Sequence, residues 1–435
     1  MSLFRPVDRH PRGGGPACGG ITGDRNEDPA SSAILHEAIL ASSSRVRDSL
    51  PEQYHAHFEA LRQEIIDFAQ AHNIPRESLS KPDALREAAS KLSLPELERL
   101  ATLLERFEYL LVHKEPREEI PGALEYAEEF YHLEKQYTSQ VALLEQVGIL
   151  KDGAITGIDG KQYPIPTLEQ IAVRLFERRE ELKIKHDQGF TKLLLVPFGM
   201  SLDALMETLK QFLLEYREIY PDFYLHPDGP LFVNNREEYY QEADMGDSPK
   251  LIYFFKSFVE DQHQGKTKMQ ILEEQAPNSD FTTGWRVHLL QASSDNTLGF
   301  RGIPIEGQGK IQGKVIPRLD LVAGKTPAEY LSLLQSSKDD EGSPYHGETG
   351  LTLEDWISTF MTHLTETGQP LDYTKENTET CLIGSFFSLS RMFNNSLMMY
   401  VPRAAWHQLF HRVSLGQYSS NGNAWNFGIR TSVII

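Results

Sequence analysis

Residues 167–220, TLEQIAVRLFERREELKIKHDQGFTKLLLVPFGMSLDALMETLKQFLLEYREIY, contain the segment that decides the fold. Thr167, followed three residues later by Gln170, predicts the start of a helix, because the two side chains can cap its first turn. Gly189 predicts the end of that helix. The apolar run that follows, residues 192–198, has the length of a buried strand.

A second helix is predicted after this strand, from Ser201 to about residue 220. A strand between two helices predicts a small α/β layer with the strand inside. In front of this layer, two Asp-Gly turn signals end at Gly153 and Gly160 and enclose a short extended segment. They predict a hairpin-like linker over residues 149–166.

The sequence in front of this linker has a helical pattern. Apolar residues recur at helical spacing after Pro51 and again after Pro121, and Gly148 is suited to end the last helix. Before residue 33 the chain is rich in glycine and poor in large apolar side chains, which favours disorder. We expect an α+β protein of four segments: a disordered tail at residues 1–32, a helical domain at 33–148, a small α/β domain with the hairpin linker at 149–280, and a loop-rich α+β domain at 281–435.

The last segment mixes short strands, loops and helices. Thr326 and Thr352 each predict the start of a helix. Trp406 and Phe410 lie four residues apart and predict a further helix over residues 402–411. Strands are predicted at residues 284–292 and 427–433, and a glycine-rich loop at residues 298–321.

The charge balance argues against one class of function. The 435 residues include 43 Lys and Arg against 62 Asp and Glu, which gives a formal net charge of −19. Non-specific binding of nucleic acid depends on Lys and Arg releasing counterions from phosphates, and no long basic run interrupts this acidic chain. We therefore expect no nucleic-acid partner.

Neither a membrane segment nor a disulfide is expected. The most apolar late stretch, residues 381–401, contains Arg391 and Asn394, which are costly in a bilayer, so we interpret it as buried core. The first residues lack the apolar region of a secretory signal. Cys18 lies in the glycine-rich tail and is not expected to pair with Cys381. Such sparse cysteine suits a reducing compartment, and a cytoplasmic location is the expectation.

The glycine-rich loop does not match a nucleotide-binding motif. A phosphate-binding loop has four residues between its first glycine and a Gly-Lys pair, and Ser or Thr follows the pair. Here five residues separate Gly307 from Gly313 and Lys314, and Val315 stands where the hydroxyl would be. We interpret the segment as an ordinary loop and expect no cofactor.

Two histidines have the spacing of metal ligands. His407 and His411 are four residues apart, which would place them on one face of the predicted helix. Gln408, however, stands where a zinc protease carries its catalytic glutamate, and no third ligand is evident. We favour ordinary surface or core histidines and expect no metal, and we keep a cytoplasmic metal-dependent hydrolase as an alternative function.

The segment 417–426, QYSSNGNAWN, has the composition of a recognition loop. Aromatic side chains supply rigid contact area, and short polar side chains adapt their hydrogen bonds. An ordinary surface loop before the last strand would have a similar composition. The ligand-binding residues predicted here are Tyr418, Ser419, Asn421, Asn423, Trp425 and Asn426.

Three short features of residues 281–435 resemble C-type-lectin-like domains. They are Trp285 in an early strand, the string NTLGFR at residues 296–301, and the ending WNFGIR at residues 425–430 before an apolar strand. The branch concerned includes formylglycine-generating-type domains and the variable proteins of diversity-generating retroelements. The resemblance implies a binding face of polar and aromatic loop residues beside the closing Gly-x-Arg strand. The paired cysteines of the formylglycine-generating enzyme are absent, so an oxidase is not implied.

The leading hypothesis is a non-catalytic recognition protein. Its C-terminal domain would present a polar and aromatic surface to an unknown protein or small-molecule ligand. An enzyme is one alternative. The other is a structural subunit, with a homo-oligomer formed through the N-terminal helices. The apolar helical stripe is too short and irregular for a sustained heptad repeat, which favours packing within the chain.

Overall fold

The computed structural model describes residues 44–51, 54–72, 74–75, 92, 100, 103–104, 107, 110–112, 114 and 122–435, except 234–236, 247, 259–261, 277–281, 294–297, 372–377 and 394–395. The chain divides into two compact units, residues 1–121 and residues 122–435. The tail predicted at residues 1–32 lies outside the described residues.

The first unit is held together by an apolar core. Its described helices are α1 (Ser44–Asp48) and α2 (His55–Ala71). The apolar stripe predicted after Pro51 is buried, and Phe58 stacks on Phe107 with ring centroids 5.3 Å apart. The prediction of a helix in this stretch is confirmed.

The second unit begins with helices and a hairpin. Thr167 Oγ1 accepts a hydrogen bond from the Gln170 N–H at 3.2 Å, and the Gln170 side chain accepts one from the Thr167 N–H at 2.8 Å. This confirms the predicted helix start, although Arg178 breaks the helix into two. The predicted hairpin is also confirmed, because β1 and β2 pair antiparallel. The elements in chain order are α3 (Gly122–Tyr131), α4 (Leu133–Gln146), β1 (Ala154–Thr156), β2 (Gln162–Pro164), α5 (Leu168–Glu177) and α6 (Arg179–Asp187).

A four-stranded sheet follows, in which every pair of neighbours is antiparallel. Its spatial order is β3, β6, β15, β9. β3 includes residues 192–196 of the apolar run that was predicted as a buried strand at 192–198. All but one of the residues of β3 are buried, which confirms a buried strand here. The strands are β3 (Phe190–Val196), β6 (Arg286–Gln291), β9 (Glu348–Gly350) and β15 (Thr431–Ile434).

A long strand, β12, organises a second sheet of seven strands. The first half of β12 pairs with β11 and its second half with β10, while its other edge pairs with β13 along residues 400–407. β4 extends the sheet beyond β13, β5 extends it beyond β11, and β14 extends it beyond β10. The strands are β4 (Leu231–Val233), β5 (Leu251–Tyr253), β10 (Glu379–Cys381), β11 (Ser385–Phe393), β12 (Ser396–His407), β13 (Arg412–Ser419) and β14 (Phe427–Gly428).

The helix predicted over residues 402–411 is wrong. Residues 402–407 belong to β12, and the chain turns at residues 408–411 before β13 begins. The four-residue spacing of Trp406 and Phe410 misled the prediction. Hydrogen bonds to β10 and β13 outweigh the local helical preference, because they satisfy the backbone groups of this segment within the sheet.

The domain boundaries predicted near residues 148 and 280 do not divide the second unit. β3 pairs with β6, which lies beyond residue 281, and β4 and β5 pair with β13 and β11. Residues 122–435 therefore share the same two sheets, and the chain divides at residue 121 instead. Local sequence patterns do not reveal such pairing, because the partners are far apart along the chain.

One helix packs against strands of both sheets. α11 (Leu353–Thr367) contacts β3, β12 and α7 (Leu202–Ile219), and most of its side chains are buried. Thr352 caps it as predicted, by accepting a hydrogen bond from the Asp355 N–H at 3.3 Å. The fold class is α+β, as predicted. The remaining elements of this unit are β7 (Ile311–Gln312), β8 (Arg318–Leu319), α8 (Glu237–Tyr240), α9 (Lys268–Gln275) and α10 (Pro327–Ser337).

A bilayer crossing requires a long and strongly apolar helix. Among the described residues, every helix falls short of that length or that apolar character.

Candidate ligand-binding groove

Side chains along β12 and β13 alternate between two faces of the seven-stranded sheet. Those of residues 404, 406, 413 and 415 belong to the main apolar core of the second unit. The residues between them face the other way. Across the ladder, Arg403, Ala405 and His407 on β12 lie opposite Gly416, Ser414 and Arg412 on β13.

A helix covers part of this outward face. α10 contributes Tyr330 and Leu331 to an apolar cluster that also contains Met399 and Val401. These two β12 residues precede Arg403 on the same side of the strand. Beyond this cluster, from Arg403 onward, the same face of β12 lines a groove.

The groove has a volume of about 380 Å³. Small-molecule sites commonly measure about 300–1,000 Å³, so the groove has room for one small ligand. Its walls combine aromatic rings with charged and neutral polar groups. The residues that matter most for its chemistry are Phe232, Glu379, Arg403, His407, Phe410 and Arg412.

The Arg412 guanidinium packs against two aromatic rings. Its guanidinium carbon lies 4.1 Å from the ring centroid of Phe232 and 5.2 Å from that of Phe410. Phe232 reaches this position because β4 pairs with β13 and sets it opposite Ser414. Within the part of the chain that the structure describes, no carboxylate lies at ion-pair distance from Arg412. A stacked guanidinium keeps its N–H edge available for an anionic group.

Arg403 has a carboxylate partner. Its guanidinium donates to Glu379, and both side chains are largely buried. Burial lowers the pKa of Arg403 below its ordinary value, but an arginine stays protonated in proteins. The pair is therefore neutral as a whole, and the charge of the groove comes from Arg412.

His407 lies at the edge of the groove beside Arg412. Partial burial lowers the pKa of its imidazole, and repulsion by Arg412 lowers it further. The ring packs against Phe410 in a tilted arrangement, with centroids 4.6 Å apart. Near pH 7 the imidazole is consequently neutral and offers one donor and one acceptor.

Only one of the six predicted ligand-binding residues lines the groove. It is Asn426, next to Glu379 in the lining. Tyr418 packs edge-on against Phe427 with centroids 4.2 Å apart, and Trp425 is 65% exposed. The other five predicted residues, Tyr418, Ser419, Asn421, Asn423 and Trp425, are not part of this lining.

The two histidines predicted to share a helical face are not on a helix. His407 ends β12, and His411 lies in the following turn with a φ of 46°. The His411 ring packs edge-on against Tyr224 with centroids 4.9 Å apart. Among the described residues, no group of three or more His, Cys, Asp or Glu side chains could hold a metal ion.

Comparison with protein-family models, curated proteins and solved structures gives no significant match to this chain. The resemblance to C-type-lectin-like domains stays a prediction.

The sequence did not predict that the main groove residues lie together, for a physical reason. Phe232 and Arg412 are 180 positions apart, and only strand pairing brings them together. The one local signal of a strand in this segment was that Arg403 and His407 alternate with apolar residues. The helical spacing of Trp406 and Phe410 favoured a helix instead.

A cluster of buried ionisable groups is the main competitor to the groove. Lys268 Nζ lies 2.8 Å from Glu354 Oε1 and also contacts Asp244. Tyr253 donates to the same Glu354 oxygen at 2.7 Å. All four residues are at least 98% buried, so a substrate does not reach them in this conformation. We interpret them as part of the core.

A second group of charges continues this cluster along α11. Arg286 donates to both oxygens of Asp355, at 3.1 and 2.9 Å. His288 Nε2 lies 3.2 Å from Asp355, and its Nδ1 lies 2.8 Å from the hydroxyl of Ser432. This order resembles a hydroxyl–imidazole–carboxylate relay, but these side chains are also buried. This group of side chains links β6, β15 and α11 and does not face a substrate.

One buried histidine, His288, and one partly buried histidine, His363, make stability depend on pH. Burial lowers the pKa of His288, and burial together with Arg430 and Lys192 lowers the pKa of His363 to about 4. An unfolded histidine titrates near pH 6.5, so below that pH the unfolded chain binds more protons than the folded chain. Stability is therefore fully present above about pH 6.5 and is lost as the pH falls toward the folded pKa values.

We expect the free energy of unfolding to fall between pH 7 and pH 5, by up to about 1.4 kcal/mol per pH unit for each histidine. Urea unfolding at several pH values measures this slope. The Phe300 N–H donates a hydrogen bond to His363 Nδ1 at 2.9 Å. His363→Gln keeps an acceptor for this N–H but removes the titrating imidazole, so it should reduce the dependence of the unfolding free energy on pH. A slope that is the same in both proteins would contradict the assignment of His363.

Proposed function

We propose that this protein binds a small ligand in the groove, and that the ligand combines a flat apolar ring with an anionic group. The observation that carries the proposal is the position of Arg412, stacked on Phe232 and Phe410 with no ion pair among the described residues. Guanidinium groups in such a setting pair well with carboxylate and phosphate.

The charges of the groove support an anion rather than a cation. Arg403 and Glu379 neutralise each other, whereas no carboxylate among the described residues balances the charge of Arg412. The whole chain has a formal net charge of −19, so this positive site stands out from the rest of the molecule. Local potential of this kind concentrates ligands of the opposite charge.

The shape of the groove supports a ring. Phe232 and Phe410 form an aromatic wall around the guanidinium, and Phe410 is 41% exposed. Aromatic faces bind flat ligands by stacking in addition to burying their area. Ser414 and Asn426 add neutral polar groups that would orient the ligand. The groove side chains would bind the ligand and orient it. The proposed function is therefore recognition of that ligand.

Titration calorimetry with phenyl phosphate tests this proposal. The full-length protein should bind phenyl phosphate, and benzylamine, which has the same ring with a positive charge, should not bind. Arg412→Met should weaken binding of phenyl phosphate by roughly 10- to 100-fold, because a charge-assisted hydrogen bond contributes about 1.5–3 kcal/mol. Equal binding of benzylamine, or no binding of phenyl phosphate at millimolar concentration, would contradict the proposal.

Arg179→Met is the matched control for Arg412→Met. Arg179 also stacks on a phenylalanine ring, 4.3 Å from the centroid of Phe176, but it lies outside the groove. Its guanidinium has a carboxylate neighbour, Glu180, at 3.9 Å. The control variant should bind phenyl phosphate like the unchanged protein. An equal loss in both variants would show that binding reflects scattered arginines rather than the groove.

A further inference from the structure

The groove is a depression in the seven-stranded sheet, because the residues at its centre have small side chains. Ala405 on β12 lies opposite Ser414 on β13, and Ser414 lies opposite Phe232 on β4. Glu379 lies on the other side of Ala405, as the antiparallel register of β10 and β12 requires. One row across the sheet therefore leads from a carboxylate, over two small side chains, to an aromatic ring. A flat group has room above the two small side chains.

The arginine proposed to bind the anion lies in the next outward-facing row. Arg412 comes two residues before Ser414 along β13 and lies opposite His407. Strands are about 4.8 Å apart and residues rise about 3.4 Å along a strand, so the Cα atoms of Glu379 and Arg412 are about 12 Å apart. A hydrogen bond of about 3 Å at each end leaves a gap that one ring fills. A single-ring ligand can therefore contact both side chains.

Glu379 has an oxygen to offer to such a ligand. Its side chain lines the groove and is 22% exposed. The Arg403 guanidinium donates to Oε2 of Glu379. Among the described residues, no donor contacts Oε1 of Glu379. An ionised carboxylate accepts about four hydrogen bonds through its two oxygens, so the pair with Arg403 leaves acceptor capacity in the groove.

Arg403 is itself held in position by its neighbours. A Cβ atom on Gly416 would lie 2.8 Å from Arg403 Nε, so the arginine side chain occupies the space above this glycine. Its guanidinium carbon also lies 5.6 Å from the ring centroid of Phe427. The ion pair is therefore part of the groove wall, and a ligand meets a carboxylate whose position is already fixed.

A carboxylate selects for hydrogen-bond donors, because an ionised carboxylate only accepts. Glu379 is the one carboxylate among the described residues that line the groove. The hydroxyl of Ser414 and the neutral imidazole of His407 both donate and accept, so neither favours a donor over an acceptor. Glu379 therefore decides which polar substituent the ring of the ligand should have.

We propose that the ligand is an aromatic anion with a neutral N–H donor on its ring, and that Glu379 accepts a hydrogen bond from this donor. The inference rests on the proposed binding of an aromatic anion in the groove. The donor is neutral because Arg403 already balances the charge of Glu379, and a cationic donor would be repelled by both Arg403 and Arg412. Amino-substituted aromatic phosphates and carboxylates are the class of ligand that this pattern fits.

Two ligands of the same size test the inference by titration calorimetry with the full-length protein. 4-Aminophenyl phosphate and 4-methylphenyl phosphate have the same ring and the same anionic group, but the methyl group has no N–H. The amino compound should bind about 10-fold more tightly, which is the factor expected for one hydrogen bond to a charged group. Equal affinities, or tighter binding of the methyl compound, would overturn the inference.

Phenyl phosphate, measured in the same series, separates this inference from the proposed function. If phenyl phosphate binds and the amino and methyl compounds bind equally, the inference about Glu379 fails and the proposed function stands. If none of the three compounds binds at millimolar concentration, both fail.

Glu379→Gln tests the assignment to this side chain. The variant keeps the size of the side chain and an oxygen for Arg403, which turns the amide N–H groups toward the groove. The preference for the amino over the methyl compound should therefore disappear. The ratio compares two ligands on one protein, so an inactive fraction of the variant does not affect it. A folded Glu379→Gln that keeps the 10-fold preference would overturn the assignment, and the two ligands on the unchanged protein decide the matter if the variant does not fold.

Glu181→Gln is the matched control. Glu181 also pairs with an arginine, Arg178, at 2.7 Å, but it lies outside the groove lining. This variant should keep the preference for 4-aminophenyl phosphate. Loss of the preference in both variants would show that it does not arise in the groove and would also overturn the inference.

Discussion

Lys268→Met is expected to lower the free energy of unfolding by about 3–5 kcal/mol. Lys268 is fully buried and is the shared cationic partner of Asp244 and Glu354. Burial alone would lower the pKa of Lys268, but the two carboxylates outweigh it and raise the pKa above its ordinary value. Methionine fills similar space and leaves two buried carboxylates without that cation. Urea or guanidinium unfolding at pH 7 measures the loss.

The matched control is Lys266→Met. Lys266 also pairs with a carboxylate, Glu274, but the two side chains are 48% and 57% exposed. Exposed ion pairs typically contribute about 1 kcal/mol or less, so this variant should remain close to the unchanged protein. Comparable losses in both variants would show that the burial of Lys268 has no special effect.

The loss caused by Lys268→Met should also depend on pH. Burial raises the pKa of Asp244, and repulsion by Glu354 adds to it. Without Lys268, the folded protein would hold a proton on this pair more tightly than the unfolded chain does. Its stability would therefore fall as the pH rises above the ordinary carboxylate range. We expect a larger loss at pH 8 than at pH 5, and a loss independent of pH would contradict this account of the cluster.

Gly384→Ala is expected to lower the free energy of unfolding by about 2–3 kcal/mol, because the added methyl group meets backbone. A Cβ on Gly384 would lie 2.6 Å from the Gly350 oxygen and 2.8 Å from the carbonyl carbon of Leu351. The Gly384 N–H also donates to Leu351 at 2.9 Å, and its oxygen accepts from Phe254 at 3.0 Å. These bonds hold the backbone in place, so relief requires the sheets to move apart.

Gly122→Ala provides the comparison. A Cβ at Gly122 would meet no atom within 4 Å, and the change is expected to alter stability by about 0.5 kcal/mol or less. Both variants are measured by the same denaturant titration. A small effect at Gly384 would mean that the two strands separate more easily than their hydrogen bonds suggest.

The close approach at Gly384 has a consequence for the candidate site. Gly350 belongs to β9 of the four-stranded sheet, and Gly384 immediately precedes β11 of the seven-stranded sheet. The groove uses residues of the second sheet. A rigid contact between the sheets fixes the scaffold on which the groove is built.

The groove needs little rearrangement in order to bind a ligand. Arg412 is already stacked on Phe232 and Phe410, so the groove is organised before a ligand arrives. Preorganised contacts lower the entropy cost of binding.

Several elements were predicted correctly from short stretches of sequence. The capping pair of Thr167 and Gln170, the caps at Ser201, Thr326 and Thr352, and the apolar run in β3 all describe contacts within a few residues. Such contacts form wherever the rest of the chain lies. For the same reason the hairpin of β1 and β2 and the α+β class were predicted without knowledge of the tertiary structure.

The failures occurred where distant segments compete with local preference. Residues 402–407 have helical spacing but pair with strands on both edges, so they are extended. The boundary predicted near residue 280 fails because β3 and β6 pair across it. In both places long-range hydrogen bonds outweigh a local signal of a few tenths of a kcal/mol per residue.

The sequence by itself determined the acidic charge, the helix starts, the hairpin and the buried strand predicted at residues 192–198 and observed at 190–196. Each of these depends on composition or on neighbouring residues. Only the tertiary structure decided that Phe232 stacks on Arg412 and that Glu379 lines the same groove. These residues are brought together by strand pairing and by packing across the sheets. The order of strands in a sheet is a global outcome that no single stretch of sequence encodes.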